Sequence, residues 1–235
     1  MKKDIKRFFS KKTDFFLSAS FLAIMILSFS LTSCSKKQLF IPDNFSPAFS
    51  QMELHSLASL ARKTAYISTS DELFPYPDSR NLFLSDDDLG IAVRFINNGK
   101  DRGCLALYSG LDKKHLKDAV KYCTAHACND PRYQKITHEE IPQLKINICI
   151  FSKWKKMESP YDFILGEESL IVENPDAADE ETMRTLLQTA YGTERNFSKD
   201  DFLKALCKKA KLEEDAYKTK KLIFYKSKTL TYYDK

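Results

Sequence analysis

Arg102, Gly103 and Cys104 bring a guanidinium and a thiol two residues apart. If this stretch is a strand, side chains alternate faces, so Arg102, Cys104 and Ala106 share one surface while Leu105 and Leu107 point the other way. Gly103 would leave the backbone between them uncovered. A cation beside a thiol can lower its pKa from about 8.5, which makes Cys104 a candidate nucleophile. The other reading of Cys104 is a small buried side chain, and the histidines available as bases are His115, His126 and His138. Arg102 and Arg132 each present a fork of donors suited to a carboxylate or phosphate on a ligand. Each reads equally well as a structural bridge to a carboxylate such as Asp130. Cys123, His126 and Cys128 place only two ligands on one helical face, short of the four a closed zinc site needs. Asp86-Asp87-Asp88 lacks the spaced oxygens and glycine of a calcium loop and reads as a solvated approach to a strand. No metal and no cofactor follow from these residues.

The elements that would position these groups come from pattern. Asn98-Gly99 supplies the two positive φ values of a tight hairpin between Ile91–Ile96 and Arg102–Tyr108. Leu54, Leu57, Ala58, Ala61 and Ala65 recur at helical spacing, predicting a helix over Gln51–Tyr66. Asp112–Cys128 reads as a second helix, stopped by Asn129-Asp130-Pro131, and Thr137 to Glu140 has capping-box spacing. Ile146, Ile148 and Ile150 alternate with Asn147, Cys149 and Phe151, giving a strand with one aliphatic face. A second hairpin is expected within Tyr161–Asn174, a helix over Glu181–Tyr191 stopped by Gly192, another helix from Ser198 to about Lys211, and a closing strand at Leu222–Tyr225. Irregularly mixed helices and strands predict an α+β domain.

The first 33 residues read as a secretion signal rather than as structure. Lys2, Lys3, Lys6, Arg7, Lys11 and Lys12 form a basic head, and Phe15 to Leu31 is a charge-free run of 17 residues. It ends in Leu31-Thr32-Ser33-Cys34, which resembles a bacterial lipobox. Cleavage before Cys34 and its acylation would anchor the chain to a lipid bilayer at the cell envelope, aided by Lys36 and Lys37. The expected organisation is therefore a signal at 1–33, a tether at 34–50 and one domain at 51–235. Removing the signal takes six Lys/Arg and two Asp with it, so the net charge of +5 falls to +1. That excludes a strongly basic nucleic-acid surface. Five cysteines remain beyond Cys34, an odd number that suggests buried thiols rather than a disulfide framework.

Arg102-Gly103-Cys104-Leu105 resembles the signature strand of the AMMECR-one domain family. The resemblance extends through Leu57–Tyr66, Asn129-Asp130-Pro131-Arg132-Tyr133, Glu139-Glu140-Ile141-Pro142, Ile146–Phe151 and Phe202–Tyr217. It implies an α+β fold of two lobes, mainly antiparallel, with a cleft near Arg102, Gly103 and Cys104. It also implies association with Memo-like proteins and radical enzymes that use S-adenosylmethionine. The chain departs from the family pattern at Ala106, at Gly166 to Leu170, where a histidine is missing, and at Leu186-Leu187-Gln188. The expected function is binding of a ligand or protein partner in that cleft. The alternatives are a cysteine-dependent enzyme using Cys104 and a structural envelope lipoprotein.

Overall fold

The computed structural model describes residues 39–40, 45–70, 88–177 and 183–234. Its strands, all antiparallel, join in one sheet ordered β3-β2-β4-β8-β6-β7, with β1 and β5 added along β8. The ranges are β1 Leu39–Phe40, β2 Leu89–Asn97, β3 Lys100–Leu111, β4 Lys145–Phe151, β5 Lys155–Lys156, β6 Glu168–Glu173, β7 Arg184–Gln188 and β8 Ile223–Tyr233. The closing strand is thus far longer than Leu222–Tyr225. Thr229–Tyr233 pairs with β4, while Ile223–Lys228 pairs with β6. Its Ile, Phe, Tyr and Thr residues are types that suit a pleated surface. One strand therefore carries two halves of the sheet, and this α+β, mainly antiparallel arrangement agrees with the fold class read from the sequence.

Helices α1 (Gln51–Thr69) and α2 (Leu116–Cys128) cover one face of the first half. Ser50 caps α1 in a reciprocal pair with Glu53, satisfying amide groups that the first turn leaves unpaired. Leu54, Ala58, Ala61 and Ala65 are fully buried against Ile146, Ile148 and Ile150 of β4 and the apolar side of β2. Each large aliphatic side chain buried there contributes about 2 kcal/mol. Phe45 and Phe49 belong to the same core, so packed chain begins ahead of Gln51, inside the segment expected as a tether.

The second half has its own core. There α4 (Lys199–Lys209), capped by Ser198 and Asp201, seats Phe202, Leu203 and Leu206 against Leu170, Val172 and Phe224. The short α3 (Thr189–Thr193) and α5 (Ala216–Thr219) flank it. Of the helix expected over Glu181–Tyr191, Arg184–Gln188 is instead β7, pairing with β6 from Ser169–Gln188 to Glu173–Arg184, Thr189–Tyr191 is helical in α3, and Glu181 and Thr182 lie outside the described residues. Leu186 and Leu187 are adjacent and both buried, one in each of two apolar clusters. That is the signature of a strand covered on both faces, which a short apolar run does not distinguish from a helix. Likewise β6 is not half of a local hairpin, because its partners β7 and β8 lie further along the chain.

Candidate functional site

The hairpin forms as expected, with Asn98 and Gly99 at φ 49° and 76°. Register across four strands then dictates what each face carries. On one face the rows run Leu105–Val93–Ile148–Tyr232 and Leu107–Ile91–Ile150–Leu230, all beneath α1 and α2. On the other they run Cys104–Arg94–Asn147–Tyr233 and Ala106–Ala92–Cys149–Thr231. The second face is polar at one row and small at the next.

Arg102 does not share that face with Cys104. Phe95 pairs with Gly103 and Ile96 with Asp101, so Arg102 is the unpaired residue of a β-bulge. A bulge interrupts strict alternation and re-aims side chains. Asp101 therefore reaches Arg94 (Nε to Oδ1, 2.5 Å), while Arg102 turns towards the 3-10 helix His138–Gln143. There its Nε and Nη2 meet both oxygens of Glu140 at 3.0 and 2.9 Å, and its Nη1 donates to the Gln134 carbonyl at 3.1 Å. The Glu140 carboxylate also accepts from the Thr137 amide at 3.2 Å. Of the two readings of Arg102, the structural bridge prevails.

Gly103 is likewise not uncovered. A Cβ there would sit 2.0 Å from the carbonyl oxygen of Ala127, because the end of α2 lies directly on the strand. Glycine is required for that approach.

Arg132 stays beside Cys104 but is also bridged. Its Nε and Nη2 grip Asp130 at 2.9 and 2.6 Å, and Nη2 donates to the Cys104 carbonyl at 3.1 Å. Asp130, buried, accepts the Cys104 amide at 3.0 Å. Burial works to raise the Asp130 carboxyl, and the hydrogen bonds from Arg132 and from the Cys104 amide outweigh it and hold it below the ordinary range. The Asn129-Asp130-Pro131-Arg132 turn thus fixes the strand at Cys104.

Cys104 itself is half-buried, the only one of the five described cysteines that is not fully buried. Burial pushes its thiol up, against the pull of Lys209, Arg132 and Arg94. Arg102 is not among those charges. Lys209, in the last turn of α4, is the first of them. Its residue is exposed, yet burial of the ammonium, with Arg132 and Arg94 nearby, pushes it down from the usual lysine value. Arg94 was also missed, although a charge inside Ile91-Ala92-Val93-Arg94-Phe95-Ile96 was a legible signal.

The three histidines are engaged elsewhere. His115 lies 2.7 Å from Asp112, His126 packs against Tyr122 with the rings tilted, and His138 meets Tyr66 edge to face. Cys123 and Cys128 are buried, with the Cys128 thiol pushed up to about 12 by burial. Among the described residues no three His, Cys, Asp or Glu side chains gather where they could hold a metal ion. Cys34, Asp86 and Asp87 lie outside the described residues.

Residues 57–230 match the AMMECR1 family, well over half of the chain. The chain belongs to the AMMECR1 family. Its fold resembles that of an uncharacterized protein, PH0010, from Pyrococcus horikoshii, whose crystal structure aligns with a TM-score of 0.62 at 20% identity, covering 77% of this chain and 90% of that one. Among sequence relatives, a protein of Methanocella arvoryzae is 25% identical over 142 residues, 58% of this chain and 69% of the relative. Protein TV1384 of Thermoplasma volcanium is 23% identical over 181 residues, 74% and 85% of the two chains. For this AMMECR1-family chain, then, the signature strand is braced by Ala127, Asp130 and Glu140, and the face it shares with Arg94 is buried along β2 and half-buried at Cys104 and Ala106.

Proposed function

We propose that this chain is a membrane-anchored AMMECR1-family protein that binds a ligand on the cleft face of β2 and β3, with Cys34 carrying the lipid. The observation that carries the binding reading is that Arg94, the cross-strand partner of Cys104, and Arg132, which donates to the Cys104 carbonyl, converge on the one described cysteine that is not fully buried. Asp101 pairs with Arg94 and Asp130 with Arg132, and the Glu194 carboxylate also acts on Arg94. Anchoring is supported by the basic head, the apolar run and the Leu31-Thr32-Ser33-Cys34 stretch. No helix among the described residues is long and apolar enough to cross a membrane.

A cysteine-dependent enzyme is the second reading, favoured by Cys104 being the described cysteine that is not fully buried. One experiment addresses both. The full chain is expressed with and without Cys34→Ala, fractionated, and treated with a small maleimide in the presence of an envelope extract. Membrane recovery lost on Cys34→Ala, together with protection of Cys104 by the extract, is the expected result. Protection that decays as extract components are consumed, and that Cys104→Ser abolishes along with their consumption, would replace binding by turnover.

A further inference from the structure

The antiparallel register gathers five strand ends at one end of the sheet. Asn97 at the close of β2 pairs with Lys100 at the opening of β3, Ile96 pairs with Lys145 at the opening of β4, and Asn147 pairs with Tyr233 at the close of β8. The start of β1 joins them, since Leu39 pairs with Tyr232 and the strand runs antiparallel to β8. Arg62 of α1 is drawn to the same place, gripping Asp234 at 2.9 Å and the Ile141 and Leu144 carbonyls at 2.7 and 2.9 Å. Its neighbour Lys63 lines a surface hollow together with Asp234 and Tyr66.

Charge at this end is one-sided. Its carboxylates are taken: Asp101 by Arg94, Asp234 by Arg62, and Glu194 by the Tyr233 hydroxyl and, at 3.8 Å, by Arg195. The side chains of Lys63 and Lys100 are exposed and make no ion pair or hydrogen bond among the described residues. Lys145, exposed too, lies 4.2 Å from the centre of the Tyr233 ring and meets no carboxylate among the described residues. Surface lysines are commonplace, and it is position that distinguishes these three. Only residues 35–38 separate Cys34 from β1, at most about 18 Å of extended chain, and two of the four are Lys36 and Lys37.

We infer that the chain sets this end of its sheet against anionic lipid headgroups, with Lys63, Lys100 and Lys145 as the contacts. The inference rests on the membrane-anchored reading above and adds which surface meets the bilayer. A lysine close to an anionic leaflet gains about fivefold in affinity for it. The leaflet's field dies within a Debye length, roughly 10 Å at 0.1 M salt, so lysines at the anchored end feel it and distant ones do not. The short β5 supplies the contrast. Lys155 and Lys156 are exposed and without ion pairs among the described residues, yet they sit opposite Lys226 and Tyr225, about 20 Å back along β8 from Tyr232. Charge alone recommends both sites, and the entry of the chain selects the first.

The full chain, purified from membranes, is reconstituted into vesicles of phosphatidylcholine alone or mixed with phosphatidylglycerol. Its amines are labelled briefly at low salt with a water-soluble N-hydroxysuccinimide ester, and each lysine is read by peptide mass. Labelling of Lys63, Lys100 and Lys145 should fall about fivefold in the anionic vesicles. It should recover at about 1 M salt, where the Debye length is about 3 Å. Lys155 and Lys156 should label equally in both vesicles. Lys100→Glu combined with Lys145→Glu, both at exposed positions, should return Lys63 to its neutral-vesicle rate. Equal labelling of the three lysines in the two vesicles, protection of Lys155 and Lys156 in their place, or a Lys63 indifferent to the double variant overturns the inference. The same digest separates this failure from failure of the anchor. A lipid on the Cys34 peptide with no protected lysines leaves anchoring standing with a different surface towards the bilayer, and an unmodified Cys34 in a chain that does not float with the vesicles ends both.

Discussion

The two faces of the strands β2, β3, β4 and β8 are built to different ends. Beneath α1 and α2, Val93, Ile91, Ile148 and Ile150 pair in register and are all fully buried. On the opposite face the same strands present Arg94 beside Asn147 and Ala92 beside Cys149. There the Cys149 thiol bonds to Asn147 Oδ1 at 3.3 Å and Gln188 Oε1 at 3.1 Å, and burial pushes it up to about 12. The first face stabilises by excluding water from aliphatic area. The second face is buried as well, Ala92, Cys149 and Phe151 packing with Ile171 and Leu186, but it sets a charged Arg94 and polar side chains among those apolar groups.

Substitutions at neighbouring positions of β4 test that division most severely. Ile148→Ala should cost about 2–5 kcal/mol in chemical denaturation, the usual range for emptying a packed aliphatic site. Cys149→Ala, one residue on and equally buried, should cost about 1 kcal/mol. Equal losses would mean that the second face is core like the first.

Gly103→Ala comes next. The added methyl meets the Ala127 carbonyl oxygen at 2.0 Å, so either β3 or the end of α2 must shift, at about 1–3 kcal/mol. The decisive readout is the amide exchange of α2, which should quicken near its C-terminus while α4 is unaffected.

Smaller still is the Arg102–Glu140 pair, whose side chains are 19% and 25% exposed. A double-mutant cycle with Arg102→Ala and Glu140→Ala should give a coupling of about 1 kcal/mol. The hydrogen bond from Arg102 holds the Glu140 carboxyl below the ordinary range, so protonation opposes folding. The pair's contribution is therefore fully present above the unfolded glutamate value of about 4.3 and is lost as pH falls from there through the folded value. A coupling that persisted undiminished in acid would place the energy in packing rather than in charge.

What could be read in advance follows from how local each feature is. The hairpin was legible because Asn98-Gly99 states its turn in two residues, and α1 and α4 because their apolar positions repeat within one element. The bulge at Arg102 was not, since it exists only relative to the partner strand: Phe95 and Ile96 take up Gly103 and Asp101 and leave no residue for Arg102. The same limit hid β7, whose two adjacent leucines need a sheet with cover on both sides to make sense. Lys209 lies more than a hundred residues from Cys104, and no spacing rule connects them. Arg94 alone was readable and overlooked, a buried charge in a strand of six otherwise apolar residues.

The finest difference between the faces lies in the charges around Cys104. Sequence alternation made Arg102 the cation that would activate this thiol, and the register gives that place to Lys209, Arg132 and Arg94. Burial nevertheless dominates and raises the thiol, so maleimide labelling of Cys104 should show a midpoint above that of a free cysteine. Arg102→Ala should not move that midpoint. Lys209→Met should raise it further, because removing a nearby cation disfavours the thiolate. A midpoint well below a free thiol's, shifted by Arg102→Ala, would return Arg102 to the cleft and make Cys104 an activated nucleophile. With the expected order, burial and not a neighbouring cation sets the reactivity of this sulfur.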